Sequence, residues 1–446
     1  MRCKFFVATI AAFVAAYGIA SAVRAEPAPV VQVSDATLDA ELVALEGAIT
    51  LCGCDKGVSK DGKSKGSCDG SCSAKGGKGT ADACAPWTLF PELPSGITVS
   101  GWLEIGGAAG ADRSPSRNLR PVTFGDRQDV TVNQLYTVIE RSLDTSCGWD
   151  IGGRVDILFG TDARFTEVPG LELERDGSAS KWNSHTHYRI STPQAYAEIG
   201  NGNWSAKIGH WYTSIGYEVV TAPDNFFYSH AYTMAYGEPF THTGVLVNYD
   251  LNDRVSAHGA IHSGWDSFDG SRERAGFLGG VNWTSEDERT GLALAFTTGD
   301  QVNNANAYSN RSMYSIVITR QLSDDLTYVF QHDNAWQNDD QGPGADSEWY
   351  GINQYLLYTL NDCWSMGARL EWFRDDDGVR VPNWAGNTGL SGSYWEATFG
   401  MNWMPGTNLT LRPELRWDWF DGAGNPYDDG QSNDQFTASF DAILLF

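Results

Sequence analysis

Three histidines offer the first chemistry. His242, His258 and His262 lie close together in the chain. Imidazole binds divalent transition metals and titrates near neutral pH. A simple register across a turn at residues 250–253 sets His242 opposite His262, and His258 shares their parity. A metal site and a proton-operated gate are the functional readings, and ordinary polar lining is the bland one. His185 and His187, in a longer polar stretch, carry the same alternatives. The acidic runs at 375–377 and 428–429 hold carboxylate oxygens of the kind that bind Ca²⁺. Their spacing matches no calcium loop, so they read as solvated carboxylates. Residues 95–446 hold no G-x-S-x-G elbow, H-E-x-x-H helix or phosphate-binding glycine loop, and the matching strings at 57–66 belong to a Gly/Ser/Lys-rich tract too low in complexity to frame either motif. Nothing sets a nucleophile beside a base, so no enzyme and no cofactor is expected.

A second set of charges is more orderly. Arg154, Asp156, Glu198, Arg369, Glu371, Glu396, Arg412, Glu414, Arg416 and Asp418 each sit on the polar side of an alternating segment. Alternation with period two belongs to a strand with one apolar and one polar face. The elements that position these charges are therefore strands, and a polar face shared by many strands is the lining of a wet interior.

Turn chemistry gives the strand count. Asn, Asp, Gly and Ser cluster at 143–148, 200–203, 250–253, 285–288, 322–325, 360–363 and 404–408, each between two alternating runs. Seven hairpins supply fourteen strands, and one from Ile97 and one ending at Phe446 bring the total to sixteen. Longer polar stretches alternate with the turns, at 161–189, 213–240, 266–273, 300–310, 337–347, 374–392 and 421–433. Short turns at one end and long loops at the other characterise outer-membrane barrels.

The final strand fits. Phe436, Ala438, Phe440, Ala442, Leu444 and Phe446 share one face, and Gln435, Thr437, Ser439 and Asp441 the other. An apolar edge strand invites aggregation in a soluble sheet. A closed barrel in a membrane has no edge, so the expected partner is the first strand around Val99, Gly101, Leu103 and Ile105. Tryptophans collect at strand ends. Trp149, Trp204, Trp283, Trp364 and Trp403 flank short turns, and Trp211, Trp265, Trp336, Trp372 and Trp419 lie at the far ends. Two aromatic belts at headgroup level are expected.

The expected fold is all-β: a transmembrane antiparallel β-barrel of about 16 strands over residues 95–446. Residues 1–25 have the layout of a secretory signal peptide, with Val23-Arg24-Ala25 before Glu26. Residues 26–94 read as a short periplasmic helix capped at Ser34, then a flexible Cys/Gly/Lys-rich linker. Cys52, Cys54, Cys68, Cys72 and Cys84 crowd that linker, an odd number, and one must pair elsewhere, pair between chains or stay free. Cys147 and Cys363 flank short turns too far apart around a barrel to bridge each other. The net charge is -25, and residues 95–446 carry 22 of 31 basic and 46 of 56 acidic residues. That acidity argues against nucleic acid as a partner. Mean hydropathy is -0.33, which suits strands whose apolar residues are diluted by alternation.

The stretch from Pro193-Gln-Ala-Tyr-Ala-Glu198 to Thr241-His-Thr-Gly-Val-Leu246 is distinctive. It includes Ile208-Gly-His-Trp-Tyr-Thr-Ser-Ile-Gly-Tyr-Glu-Val-Val220, Ala222-Pro-Asp-Asn-Phe-Phe-Tyr-Ser-His230 and Glu238-Pro-Phe-Thr-His-Thr-Gly244. Gly160-Thr-Asp-Ala163 and Trp372-Phe-Arg-Asp-Asp-Asp-Gly378 add to it. The chain from about Ile97 to Phe446 resembles the β-barrel porin-2 (OmpL-like) family, in a form associated with planctomycete-type outer-membrane proteins. The resemblance implies an outer-membrane porin of a Gram-negative-type bacterium. Its surroundings would be outer-membrane lipid, small hydrophilic solutes or ions, and the barrel-assembly machinery. Phe446 fits that machinery's recognition signal. A homotrimer is the analogy offered by sixteen-stranded porins.

In general porins the loop between strands five and six folds inward. Here that loop is 213–240, rich in aromatics, with the charges Glu218, Asp224 and Glu238 and no Lys or Arg. It reads as a constriction loop, with a surface loop packed on its neighbours as the alternative. Its carboxylates facing the lumen arginines would set a transverse field, and the acidic excess predicts a weak cation preference. The expected function is passive diffusion through a water-filled channel. The other reading is a structural barrel anchored to the envelope through its N-terminal segment.

Overall fold

The computed structural model describes residues 87–91, 93, 96–111, 119, 129–183, 187–269, 274–383, 385 and 389–446. The signal peptide, the helix at 26–51 and the Cys-rich linker cysteines lie outside these residues, as does His185.

The strands are β1 Thr98–Gly110, β2 Val130–Arg141, β3 Asp150–Gly160, β4 Arg189–Ser191, β5 Ala195–Asn201, β6 Trp204–Tyr212, β7 Thr241–Asn252, β8 Val255–His262 and β9 Gly276–Thr284. They continue as β10 Thr290–Val302, β11 Tyr308–Gln321, β12 Leu326–Gln337, β13 Ser347–Asn361, β14 Trp364–Asp375, β15 Gly392–Gly406, β16 Leu409–Gly422 and β17 Asp434–Leu445. All seven expected short turns join consecutive strands, and loop 213–240 falls between β6 and β7.

Both β4 and β5 pair with β3. Between them lies Pro193, which has no N–H for a ladder. The Asp156 N–H still donates to the Gln194 carbonyl at 2.9 Å, so the two pieces share one place in the wall. Seventeen strands thus make a sixteen-stave antiparallel barrel. It closes where β1 pairs with β17, from Trp102↔Leu445 to Gly110↔Thr437. Phe446 and Gly101 exchange both backbone hydrogen bonds at 2.8 Å, which extends the seam by one residue. Among the described residues no helix is long and apolar enough to cross a membrane.

Alternation sorts the side chains as the strand pattern requires. On β3, Val155, Ile157 and Phe159 are exposed outside, while Asp156 and Leu158 are buried inside. On β17, Phe436 and Leu444 face out, and Gln435, Thr437, Ser439 and Asp441 are buried within. At the short-turn rim, Trp149 meets Trp204 edge to face at 5.2 Å, and Trp364 stacks on Trp403 at 5.4 Å. Towards the other rim, Trp395 stacks between Trp372 and Trp419, at 5.9 Å on each side.

Two tryptophans depart from the belt expectation. Trp211 and Trp265 are buried in an interior cluster with Ile215 and Trp349. Trp211 lies four residues after Lys207, also buried, and the period of two puts both on the inner face. The histidine register also differs. His262 pairs with Gly244, not His242, because the β7–β8 turn lies slightly beyond residues 250–253 and a bulge sits between Asp250 and Asn252.

Candidate functional site

Loop 213–240 is hydrogen-bonded to side chains of several wall strands. An irregular segment inside a barrel must find partners for its backbone groups, and the inner wall supplies them. On β14, Arg369 Nη1 donates to the Ser229 carbonyl at 2.7 Å and to Glu218 Oε1 at 2.5 Å. Its Nε reaches Glu396 at 2.5 Å. Glu371 accepts the Tyr232 and Thr233 N–H groups at 2.6 and 2.7 Å. On β16, Arg412 Nη1 donates to the Ala222 and Asn225 carbonyls at 2.9 and 2.6 Å. Glu414 takes the Tyr228 and Ser229 N–H groups, and Arg416 donates to the His230 carbonyl at 2.6 Å. Guanidinium groups thus meet carbonyls, and carboxylates meet N–H groups.

The other walls join in. Gln134 on β2 donates to the Val220 carbonyl at 2.6 Å and accepts from Ala222 N–H at 3.1 Å. Trp349 on β13 donates to the Gly237 carbonyl at 2.9 Å. On β12, Gln331 accepts the Tyr217 N–H at 3.1 Å and donates to Glu238 at 2.6 Å. Residues 233–237 form a short π-helical turn inside this ring of partners.

Apolar packing follows the same path. Tyr217, Phe226 and Phe227 cluster with Val317, Val329, Tyr355 and Leu357. Those wall residues stand where polar lining is the rule. The sequence signal is a loss of alternation, as in Ile316-Val317-Ile318 and Leu356-Leu357. Two wall glycines leave room. A Cβ on Gly367 would lie 2.6 Å from the Phe226 ring, and one on Gly106 would lie 2.7 Å from the Tyr228 ring.

The wall charges form contact pairs. Arg412 bonds Asp441 at 2.6 Å and Glu104 at 3.2 Å, and Arg416 bonds Asp418 at 2.8 Å. Arg154 reaches Asp156 at 2.8 Å, and Glu198 accepts the Ser205 hydroxyl at 2.8 Å. Of these, Glu104, Asp156, Arg412, Arg416, Asp418 and Asp441 are buried. Glu218 touches Arg369 directly instead of facing it across water. Burial works to raise the Glu218 carboxyl, but the Arg369 charge and His230 outweigh it and hold it at about 2. Glu238 is the opposite case: burial, then the neighbouring Asp333 charge, push it well above the usual range. Asp224 lies on the exposed side of the loop.

The histidines fasten the start of the loop. His242 and His262 have ring centroids 4.5 Å apart. Their nitrogens engage Thr213, Thr297 and the Gly264 backbone, and His258 Nε2 lies 2.9 Å from the Ser214 hydroxyl. Among the described residues no group of three or more His, Cys, Asp or Glu is placed to hold a metal ion.

Sequence reading did not single out Gln134, Ser229, Gln331 or Asp333. Gln134, Ser229 and Gln331 are ordinary polar residues whose importance lies in a partner about ninety residues or more away, and Asp333 gains its own through Gln331 on the same strand.

Solved structures share this architecture. The outer membrane channel DcaP of Acinetobacter baumannii aligns with 81% of this chain and 100% of its own, at 13% identity and TM-score 0.53. OprB of Pseudomonas putida, in a high-pH structure, covers 79% of this chain and 94% of its own, at 11% identity and TM-score 0.52. The anion-selective porin of Comamonas acidovorans covers 78% and 99%, at 9% identity and TM-score 0.50. At such identities the likeness is one of fold. No curated protein matches the chain. The family profile described as "Putative beta-barrel porin-2, OmpL-like" matches residues 96–446, nearly the whole of the barrel and its loops. The chain belongs to that family of outer-membrane barrel porins.

Proposed function

We propose that this outer-membrane barrel conducts small hydrophilic solutes and ions by passive diffusion, with loop 213–240 as its constriction. The loop's attachment carries the reading: side chains from β2, β12, β13, β14 and β16 hold it against the inner wall. A segment fixed this way reduces the cross-section open to solutes, so passage is limited to small ones. Among the described residues fourteen Asp and Glu are buried, against four Lys and Arg. An interior with that excess of carboxylate attracts cations, so the channel is weakly cation-preferring.

Liposome swelling tests the reading. Purified protein reconstituted in liposomes should admit small sugars, amino acids and salts at rates that fall steeply with solute size. Impermeability to all of them would reject a diffusion channel. Planar-bilayer reversal potentials in a salt gradient should show cation preference, and anion preference would overturn that part.

A further inference from the structure

Most buried carboxylates inside the barrel have an evident counterpart. Glu218 and Glu396 have Arg369, Asp418 has Arg416, and Asp441 and Glu104 have Arg412. Glu371 and Glu414 each take three hydrogen bonds from the loop. Glu238 and Asp333 are different. Glu238 ends the loop and Asp333 stands on β12, and both are buried, at 4% and 3% exposure. The Gln331 amide nitrogen donates to Glu238 Oε1 at 2.6 Å and to Asp333 Oδ2 at 2.9 Å. One nitrogen thus bridges two carboxylates. No cationic side chain pairs with either among the described residues.

Oxygen atoms around the pair are left over. Ser315 lies directly opposite Asp333 in the β11–β12 register. Asp333 Oδ1 and Ser315 Oγ are both buried without a hydrogen-bond partner. His332, next in sequence, is turned away to the Tyr314 hydroxyl and the Gly351 carbonyl. On the loop side, a Cβ on Gly216 would come within 2.1 Å of Glu238 Oε2, so bare backbone packs against that carboxylate. Two buried carboxyl groups with a single amide between them must be neutralised, by a shared proton or by a bound cation. Hard oxygen donors of this kind suit Ca²⁺ or Mg²⁺, and two carboxylates neutralise a double charge.

We propose that Glu238, Asp333 and Ser315 ligate a divalent hard cation of the Ca²⁺/Mg²⁺ class, which bolts the end of loop 213–240 to β12. The site would fix the loop at a wall remote in sequence from the Arg369 and Arg412 anchors. The inference requires the loop to lie against β12 and is independent of what the channel conducts.

The test uses the refolded full barrel in detergent, stripped with chelator and titrated with Ca²⁺. Calorimetric binding and the midpoint of heat-induced unfolding are both read, neither of which needs conduction. Wild type should bind and unfold at a higher temperature as Ca²⁺ rises. Asp333→Asn should bind at least tenfold more weakly, and Ser315→Ala, which removes only a hydroxyl, several-fold more weakly. An equal response of wild type and both variants would assign the binding to exposed acidic loops and overturn the site. So would a wild-type midpoint that ignores Ca²⁺ and chelator but moves with pH, since the pair would then share a proton. If Asp333→Asn does not fold, Ser315→Ala decides alone: unchanged affinity there rejects the site.

Discussion

Arg369 holds Glu218 at 2.5 Å and the Ser229 carbonyl at 2.7 Å, so one wall guanidinium grips two distant points of the same loop. The Glu218 carboxyl is held at about 2, below its ordinary 4.5. A depressed carboxylate contributes stability that is complete above the unfolded value and is lost as pH falls through the folded one. The loop attachment should therefore hold at pH 5 and weaken between about 4.5 and about 2. Protease cleavage within 213–240, followed against pH, should accelerate only in that window. Arg369→Met takes the nearest cation from two buried carboxylates, Glu218 and Glu396, a loss of about 3–5 kcal/mol. It should lower the heat-unfolding midpoint, and an unchanged midpoint would contradict the clamp.

Phe226 occupies the space a side chain on residue 367 would need. Gly367→Ala should displace the loop at a cost of about 1–3 kcal/mol, the usual range for overpacking. Adding Phe226→Ala should recover much of it. Strictly additive effects in that double-mutant cycle would show that the ring does not pack there.

Cys147 is a free, exposed thiol in the β2–β3 turn, while Cys363 in the β13–β14 turn is disulfide-bonded. The short turns face the periplasm in outer-membrane barrels. A membrane-impermeant maleimide should distinguish wild type from Cys147→Ser only after the outer membrane is permeabilised. A difference between the two in intact cells would reverse the orientation.

Phe446 shares two backbone hydrogen bonds with Gly101. Deleting it shortens the seam, and we expect fewer heat-modifiable, folded barrels in the outer membrane. Wild-type levels of folded protein would remove any assembly role for this residue.

The wall was legible because its cues are local. Turn residues such as Gly200-Asn-Gly-Asn203 and the alternation of β17 need only their neighbours to be read. The inner filling was not, because it depends on contacts between distant residues. Ser229 means little until Arg369 and Glu414 close on it. The aromatics and charges of 213–240 suggested a loop facing Arg369, Arg412 and Arg416, but not which backbone carbonyls those guanidinium groups would bond. His242 and His262 came together as rings despite a register two residues away from the simple one. Trp211 shows the remaining ambiguity: a tryptophan at a strand end serves a lipid belt or an interior, and only its parity decides.

The seam has a consequence for how the molecule comes into being. Trp102 pairs with Leu445, 343 positions away, whereas other neighbouring strands are joined by a short turn or a single loop. By polymer entropy, closing a loop of that length costs about 5 kcal/mol before any contact repays it. Everything up to that point can grow by short-range steps, hairpin upon hairpin. The final step has no such ladder to climb. Until it is taken, the nascent wall has two raw borders whose N–H and C=O groups hydrocarbon cannot satisfy. A half-built version of this protein is therefore not a smaller pore but an open ribbon, and the order of synthesis leaves its completion to the last strand made.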